Sequence, residues 1–315
     1  MFPTISVDIL IPYYKQFEYF QIALESAISQ THRNLQIIVL DDASNCMQFN
    51  ELMQNLDDKR ITLIRNEINQ GICQSFQKLL DASSSSYLLF LGQDDYLESA
   101  YVEEMVWNAQ YFANAAFIVP KVSVIDKYGN IFEPLPDRIK RLLKALCVRF
   151  SKKIPIKGKY YYLVKEPTSI MFLLIGNFLY FPTIFFPRKS LEGFSFRKDS
   201  PITLDFDLIL TILEKNSTFL ISDSKLANYR RHEESLSGLS SSYSSRLREE
   251  KLFYRNRAES YLQKKQFLFY GLAKLHITLS LHILYRFCTS RIPFSFAHFK
   301  TLNSRNRRKD RKTTG

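Results

Sequence analysis

Residues 87–97, YLLFLGQDDYL, stay apolar through Leu91 and then reach two adjacent carboxylates, Asp94 and Asp95. A strand inside a protein has no use for two charges at its tip, because an unpaired buried carboxylate is costly. A divalent cation is a common partner for carboxylates grouped at a strand end. Magnesium in particular takes one or two carboxylates and completes its shell with phosphate oxygens. A solvated loop with two Asp would produce the same letters, so the surrounding sequence has to decide.

Upstream, residues 6–14 read SVDILIPYY, residues 35–42 read LQIIVLDD and residues 61–66 read ITLIRN. Between them, Phe20–Ile28 and Ile72–Leu80 are apolar at helical spacing. The order is β-α-β-α-β-α-β, with short β-branched runs that are apolar throughout. Strands of a parallel sheet covered on both faces read this way. The fold class predicted is therefore α/β, a Rossmann-like sheet with helices on both faces. Ligands of such sheets bind beyond the carboxyl ends of the strands. Three predicted strands carry polar groups at that edge: Pro12-Tyr13-Tyr14, Asp41-Asp42 and Asp94-Asp95. Two acidic pairs at equivalent ends of one array look like a site.

The segments ILIPYYK, LESAISQTHRNLQIIVLDDAS, NEINQG and LFLGQDDYL, in this order, resemble a family 2 inverting glycosyltransferase of the bacterial surface-polysaccharide type. The resemblance covers roughly residues 5–240 and implies the GT-A fold of nucleotide-diphospho-sugar transferases. It implies that Pro12, Tyr14 and Asp42 hold the nucleotide base. It also implies that Asp94 and Asp95 carry the ribose and a divalent metal, Mg or Mn, with either Asp able to touch the ion. The donor expected is a UDP- or dTDP-sugar. Several positions depart from the family pattern: Lys15 for Asn, Cys46 for Asp, Gly92 for the first acid of the later motif, and Phe76 for Arg beside the amide of Gln77.

Further on, YRRHEESLS at 229–237 resembles the family's closing motif, which makes His232 a third candidate for the metal or the diphosphate. A surface histidine in a charged loop is the plain alternative. PITLDFDLIL at 201–210 resembles the start of the family's acceptor-side helix, with Leu204 in place of its usual Glu. By that match Asp205 is the general base, since an inverting transfer needs a carboxylate to take the acceptor proton. Helix capping explains Asp205 or Asp207 equally well from the residues alone. Gly176-Asn177-Phe178, Pro182 and Phe186-Pro187-Arg188 resemble the segments that roof the acceptor pocket.

The net charge of +12 is uneven. Residues 138–165 hold ten Lys or Arg and no acid, residues 291–315 are net +7, and the rest of the chain is net −5. The first stretch is interleaved with Leu142, Leu143, Leu146, Phe150 and Tyr160–Tyr162. Basic plus apolar residues on one element mark a segment lying on an anionic membrane, so no nucleic acid is expected as partner. Residues 267–287 place Lys274, Thr278, His282 and Arg286 on one helical stripe, although 275–283 also alternate as a strand would. Its charges make a spanning helix costly.

The expected organisation is a domain over 1–240, comprising a nucleotide half (1–110), a basic insertion (134–166) and an acceptor half (167–240). A basic amphipathic helical extension follows over 241–315. Four cysteines without metal spacing, and no leader before the first strand, predict reduced thiols. The setting expected is cytoplasmic, peripheral on the inner face of the cell membrane, with a glycan or lipid-linked acceptor. Ser83–Ser86 and Ser240–Ser245 are predicted loops. Two other classes fit less well. A nucleotidyltransferase would show an early Gly-rich phosphate loop, which IPYYKQF lacks, and a nucleotide binder without turnover would fit the thinned acidic sites.

Overall fold

The computed structural model describes residues 5–232 and 243–277. In chain order the first elements are β1 (Val7–Tyr13), α1 (Phe17–Ile28), β2 (Leu35–Asp41), α2 (Met47–Asn55), β3 (Ile61–Arg65), α3 (Ile72–Ala82), β4 (Tyr87–Phe90), β5 (Tyr96–Leu97) and α4 (Tyr101–Tyr111). There follow β6 (Ile118–Ile125), α5 (Leu135–Arg149), β7 (Lys152–Ile156), β8 (Lys159–Val164), α6 (Thr168–Ile175), β9 (Phe186–Pro187), α7 (Leu204–Lys215), β10 (Phe219–Arg230), α8 (Tyr243–Gln263) and α9 (Phe267–Leu275).

The predicted array forms. One sheet has the order β3-β2-β1-β4-β9, with the first four strands parallel and β9 an antiparallel edge. Its strands alternate between two cores. Val7, Ile9, Ile11, Val39 and Leu89 face one cluster, and Leu10, Ile38, Leu40, Leu88 and Phe90 face the other. Each such side chain contributes roughly 1.5–3 kcal/mol when fully buried, which is why these strands tolerate almost no polar residue before their ends. Gln36 and Thr62 are exposed, and the buried exception is Asp8. Its carboxylate accepts the Ser83 and Ser85 hydroxyls and the Ser84 and Ser85 N–H groups at 2.7–3.0 Å. The Ser83–Ser86 run is thus a clamp for a buried anion. The second serine run is not all loop, since α8 begins at Tyr243.

A second sheet has the order β5-β10-β8-β7, with β6 parallel to β10. The predicted basic insertion is built into it: β7 and β8 form a hairpin whose inner strand pairs with β10. Phe186 and Pro187, expected over the acceptor, instead pair with Leu88 and Tyr87 at the edge of the first sheet, and Arg188 donates to Ser83 Oγ. Of the Gly176-Asn177-Phe178 part of that expectation, Asn177 reaches a candidate site residue, Asp205. Helices α8 and α9 pack onto α6 and α7 through Phe253, Tyr254, Ala258, Tyr261, Phe269 and Ala273. Residues 267–275 are helical, and most of the 275–283 stretch that could alternate as a strand lies, with 278–315, outside the described residues. Among the described residues, no helix is long and apolar enough to cross a membrane.

Candidate active site

The parallel strands end on one edge. At the tip of β1, Pro12 is buried inside the strand, whereas Tyr14 is exposed and its N–H donates to Gln93 Oε1 at 3.0 Å. That bond joins the end of β1 to the turn after β4. Asp42 is buried at the end of β2, and its carboxylate accepts Asn66 Nδ2 (2.6 Å) and the N–H groups of Gln70 and Gly71 (both 2.9 Å). Lys78 Nζ closes the group by donating to Asn66 Oδ1 at 2.6 Å. Asp42 therefore shapes the 66–71 loop, which its position in the sequence motif does not reveal. Phe76 is buried against Phe90, Phe181 and Phe196, and Gln77 ties α3 to Ser195 and Phe196, so neither faces this edge.

The turn at 92–95 separates its two acids. Asn228 of β10 pairs with Tyr96, which brings Arg230 opposite the acidic turn. The Arg230 N–H donates to Asp95 Oδ1 (2.8 Å) and its Nε to the Asp94 carbonyl (2.9 Å). Asp95 is buried, and that burial pushes its carboxyl well above the ordinary range, helped by the adjacent Asp94 charge and opposed by Arg230. Asp94 points the other way, with its Oδ2 2.8 Å from His232 Nε2. The His232 ring lies 5.1 Å from Tyr19, which also has the Arg230 guanidinium over it at 4.7 Å and donates its hydroxyl to the Lys127 carbonyl at 3.4 Å. The turn is tight at Gly92: a Cβ there would fall 2.6 Å from Asp95 Oδ2 and 3.0 Å from Asp94 Oδ1, so those carboxylates would have to shift.

The three expected metal ligands, Asp94, Asp95 and His232, do not share one environment. Asp95 is turned to the β10 backbone, and among the described residues no three His, Cys, Asp or Glu side chains converge as a metal cage. Asp94 and His232 do converge. The Asp94 carboxylate fits a magnesium- or manganese-like ion that draws most of its shell from phosphate and water, and the His232 imidazole is the softer donor beside it.

On the other side, Asp205 sits in the first turn of α7 and accepts the Phe206 N–H at 2.7 Å. Asn177 Nδ2 reaches its Oδ2 at 3.4 Å. Burial raises the Asp205 carboxyl above its ordinary value, against the charges of Lys140 and Arg246. Asp207 faces elsewhere, in an ion pair with Arg257 at 2.5 Å. A cavity of about 350 Å³ lies between the 197–203 loop and α8; Asp207 lines it and Asp205 does not.

Helix α5 links the two sides. Lys140 Nζ donates to the Leu179 carbonyl (3.3 Å) and lies 4.5 Å from the Tyr180 ring, while the Leu179 N–H donates to Asn177 Oδ1 (3.1 Å). Burial, with Arg231 nearby, pulls the Lys140 ammonium down to about 8, and Asp137 and Asp205 oppose that. Buried Asp137 accepts the Tyr180 hydroxyl (2.8 Å) and a two-bond grip from Arg231 (2.9 and 3.1 Å), the residue before His232. Such forked pairs fix orientation as well as charge. Sequence reasoning missed Asp137, Lys140, Tyr180, Arg230 and Arg231. The arginines stood inside the quoted YRRHEESLS motif, but Lys140 was one of ten basic residues with nothing to single it out.

The sequence profile described as glycosyl transferase family 2 matches residues 8–185, and the chain belongs to that family. It is 30% identical over 217 residues to a glycosyltransferase of Haemophilus influenzae, covering 67% of this chain and 63% of that one. It is 29% identical over 126 residues to the Escherichia coli UDP-Glc:alpha-D-GlcNAc-diphosphoundecaprenol beta-1,3-glucosyltransferase WfaP, covering 40% of this chain and 46% of that one. In two other curated relatives the match spans only 14% and 31% of their length. The fold also superposes on S. aureus TarS 1–349 in complex with UDP-GlcNAc, with a TM-score of 0.54, 14% identity, and coverage of 79% of this chain and 65% of that one. This likeness confirms the GT-A architecture.

Proposed function

We propose that this chain transfers a sugar from a nucleotide-diphosphate donor to a hydroxyl group with inversion. One observation carries the reading. The Asp94–His232 pair at the carboxyl edge of the parallel sheet and Asp205 at the start of α7 are held by one scaffold, α5, through Asp137 and Lys140. The donor is a UDP- or dTDP-sugar, with its base held near Pro12, Tyr14 and Asp42. TarS was solved with UDP-GlcNAc, and WfaP by its name uses UDP-Glc. Asp94 and His232 would hold a Mg or Mn ion, which when bound offsets charge on the diphosphate leaving group.

Asp205 takes the proton of the acceptor hydroxyl as that oxygen bonds to the anomeric carbon and the nucleoside diphosphate departs. Asn177 orients the carboxylate, and the Lys140 charge favours its ionised form. The acceptor is a glycan or lipid-linked saccharide of surface-polysaccharide synthesis, met at the inner face of the cell membrane. Residues 1–240 carry the transfer and 241–315 are the extension.

Incubation with a panel of nucleotide sugars, with and without Mn²⁺ or Mg²⁺, tests the reading by release of nucleoside diphosphate. Metal-stimulated release from one donor class is expected. Binding of nucleotide without release from any donor would favour the non-catalytic reading, for which the occupied Asp95 and the missing acid at Gly92 speak.

A further inference from the structure

Helix α5 packs Leu143, Cys147 and Val148 on the core, yet it also turns charges inward and leaves a second apolar stripe outside. An amphipathic helix of a water-soluble domain normally turns its apolar stripe inward and its charges outward. Here Asp137, Lys140 and Lys144 face the interior, where Lys144 Nζ donates to the Pro120 carbonyl at 3.2 Å. Leu135, Ile139, Leu142, Leu146 and Phe150 fall on one helical stripe and face out; Leu142 is 60% and Phe150 66% exposed. The turn that feeds the helix adds Tyr128, Ile131 and Phe132, also exposed. Exposed apolar side chains gathered along one helical stripe mark an interaction site. Arg138, Arg141 and Arg149 flank the stripe, and the adjoining hairpin adds exposed Lys152 and Lys153.

We propose that the outer face of α5, with the 128–132 turn, is a docking surface for an anionic lipid bilayer. Charge selects this occupant. A second copy would bring one strongly basic face against another, and like charges across an interface are costly. The 291–315 tail, net +7, is repelled for the same reason, and α9 is already packed on α6 and α8. A nucleic acid would use the arginines but not five outward apolar side chains. An anionic bilayer uses both. Lys140 and Lys144 no longer count toward the membrane charge, since both are consumed inside. The face is also placed for the task, because the inner side of the same helix grips Leu179, Tyr180 and Arg231 behind the candidate site. The proposal rests on the membrane-proximal reading above and supplies its contact. Its test reads vesicle binding and not sugar transfer, so either can fail alone.

The full chain would be floated with vesicles of phosphatidylcholine alone or mixed with phosphatidylglycerol. Wild type is expected to float with the anionic vesicles only. Leu142→Asp/Leu146→Asp and Arg138→Glu/Arg149→Glu should each weaken flotation by at least about tenfold, with unchanged thermal unfolding because all four positions are exposed. Removal of 291–315 should leave most of the binding. The proposal is overturned if wild type ignores anionic vesicles, if the Leu142/Leu146 variant floats like wild type, or if tail removal alone abolishes binding. It is also overturned if the Leu142/Leu146 variant converts a dimer to a monomer, because the stripe would then be a self-contact.

Discussion

The turn after β4 and the start of α7 each carry two acids, and each spends one on structure. At the turn, Asp95 is locked to the Arg230 N–H while Asp94 faces His232. At α7, Asp207 is locked to Arg257 while Asp205 accepts from the Asn177 amide and its own helix N-terminus, with the charges of Lys140 and Arg246 nearby. A pair of carboxylates at a ligand-binding edge is thus not a doubled catalytic charge. In each pair one member anchors the local structure, Asp95 to the Arg230 N–H and Asp207 to Arg257, and the other is left to face the candidate site.

The sharpest break in that pattern should come at α7. Asp205→Asn is expected to lower transfer by about 10²–10⁴-fold, the range for loss of a general base. Its effect on stability should have the opposite sign. Burial raises the folded-state pKa of Asp205, so folding favours the neutral carboxyl. The fold keeps that stability below the unfolded pKa and loses it as pH rises through the raised value. A permanently neutral Asn should therefore raise the thermal midpoint at pH 7. Asp207→Asn should do the reverse, losing about 1–3 kcal/mol of stability by weakening the Arg257 pair while retaining most turnover. Similar effects from both variants would erase the distinction.

At the turn, Asp94→Asn should cut turnover by at least about tenfold, and His232→Gln should act in the same direction. Asp95→Asn should cost less activity, because Asn keeps an oxygen for the Arg230 N–H. Titration with Mn²⁺ checks this: the Asp94 variant should need more metal, whereas the Asp95 variant should follow wild type.

The pH profile gives a subtler check. With Asp205 raised by burial, the acid limb of kcat/KM should lie above the ordinary carboxylate range, so that activity falls as pH drops through it. The smallest effect expected is from Gly92→Ala, whose Cβ meets Asp95 Oδ2 at 2.6 Å. It should cost about 1–3 kcal/mol as an overpacked site, read from thermal unfolding, and shift activity less than Asp94→Asn.

Much of this was legible in the sequence. Strands β1, β2 and β4 are buried almost throughout, so their runs of Ile, Leu and Val announced both the sheet and its polar edge. The two-residue strands β5 and β9 gave no pattern, and β5 is what lets β10 choose between Asp94 and Asp95. That choice depends on Arg230, more than 130 residues away in the chain. The basic insertion was legible as charge but not as orientation. Lys140 and Lys144 read like their neighbours until the fold turns them inward against Leu179 and Pro120. Asp42 matched a binding motif, yet three donors from the 66–71 loop occupy its carboxylate.

The most direct measurement follows the anomer released when an α-linked nucleotide sugar is hydrolysed, by proton NMR before mutarotation sets in. Water then stands in for the acceptor, so the natural acceptor need not be known. With Asp205 as base in a single displacement, the β-anomer should appear first. Release of the α-anomer first would mean retention, and Asp205 could not then be acting as the base of one direct displacement.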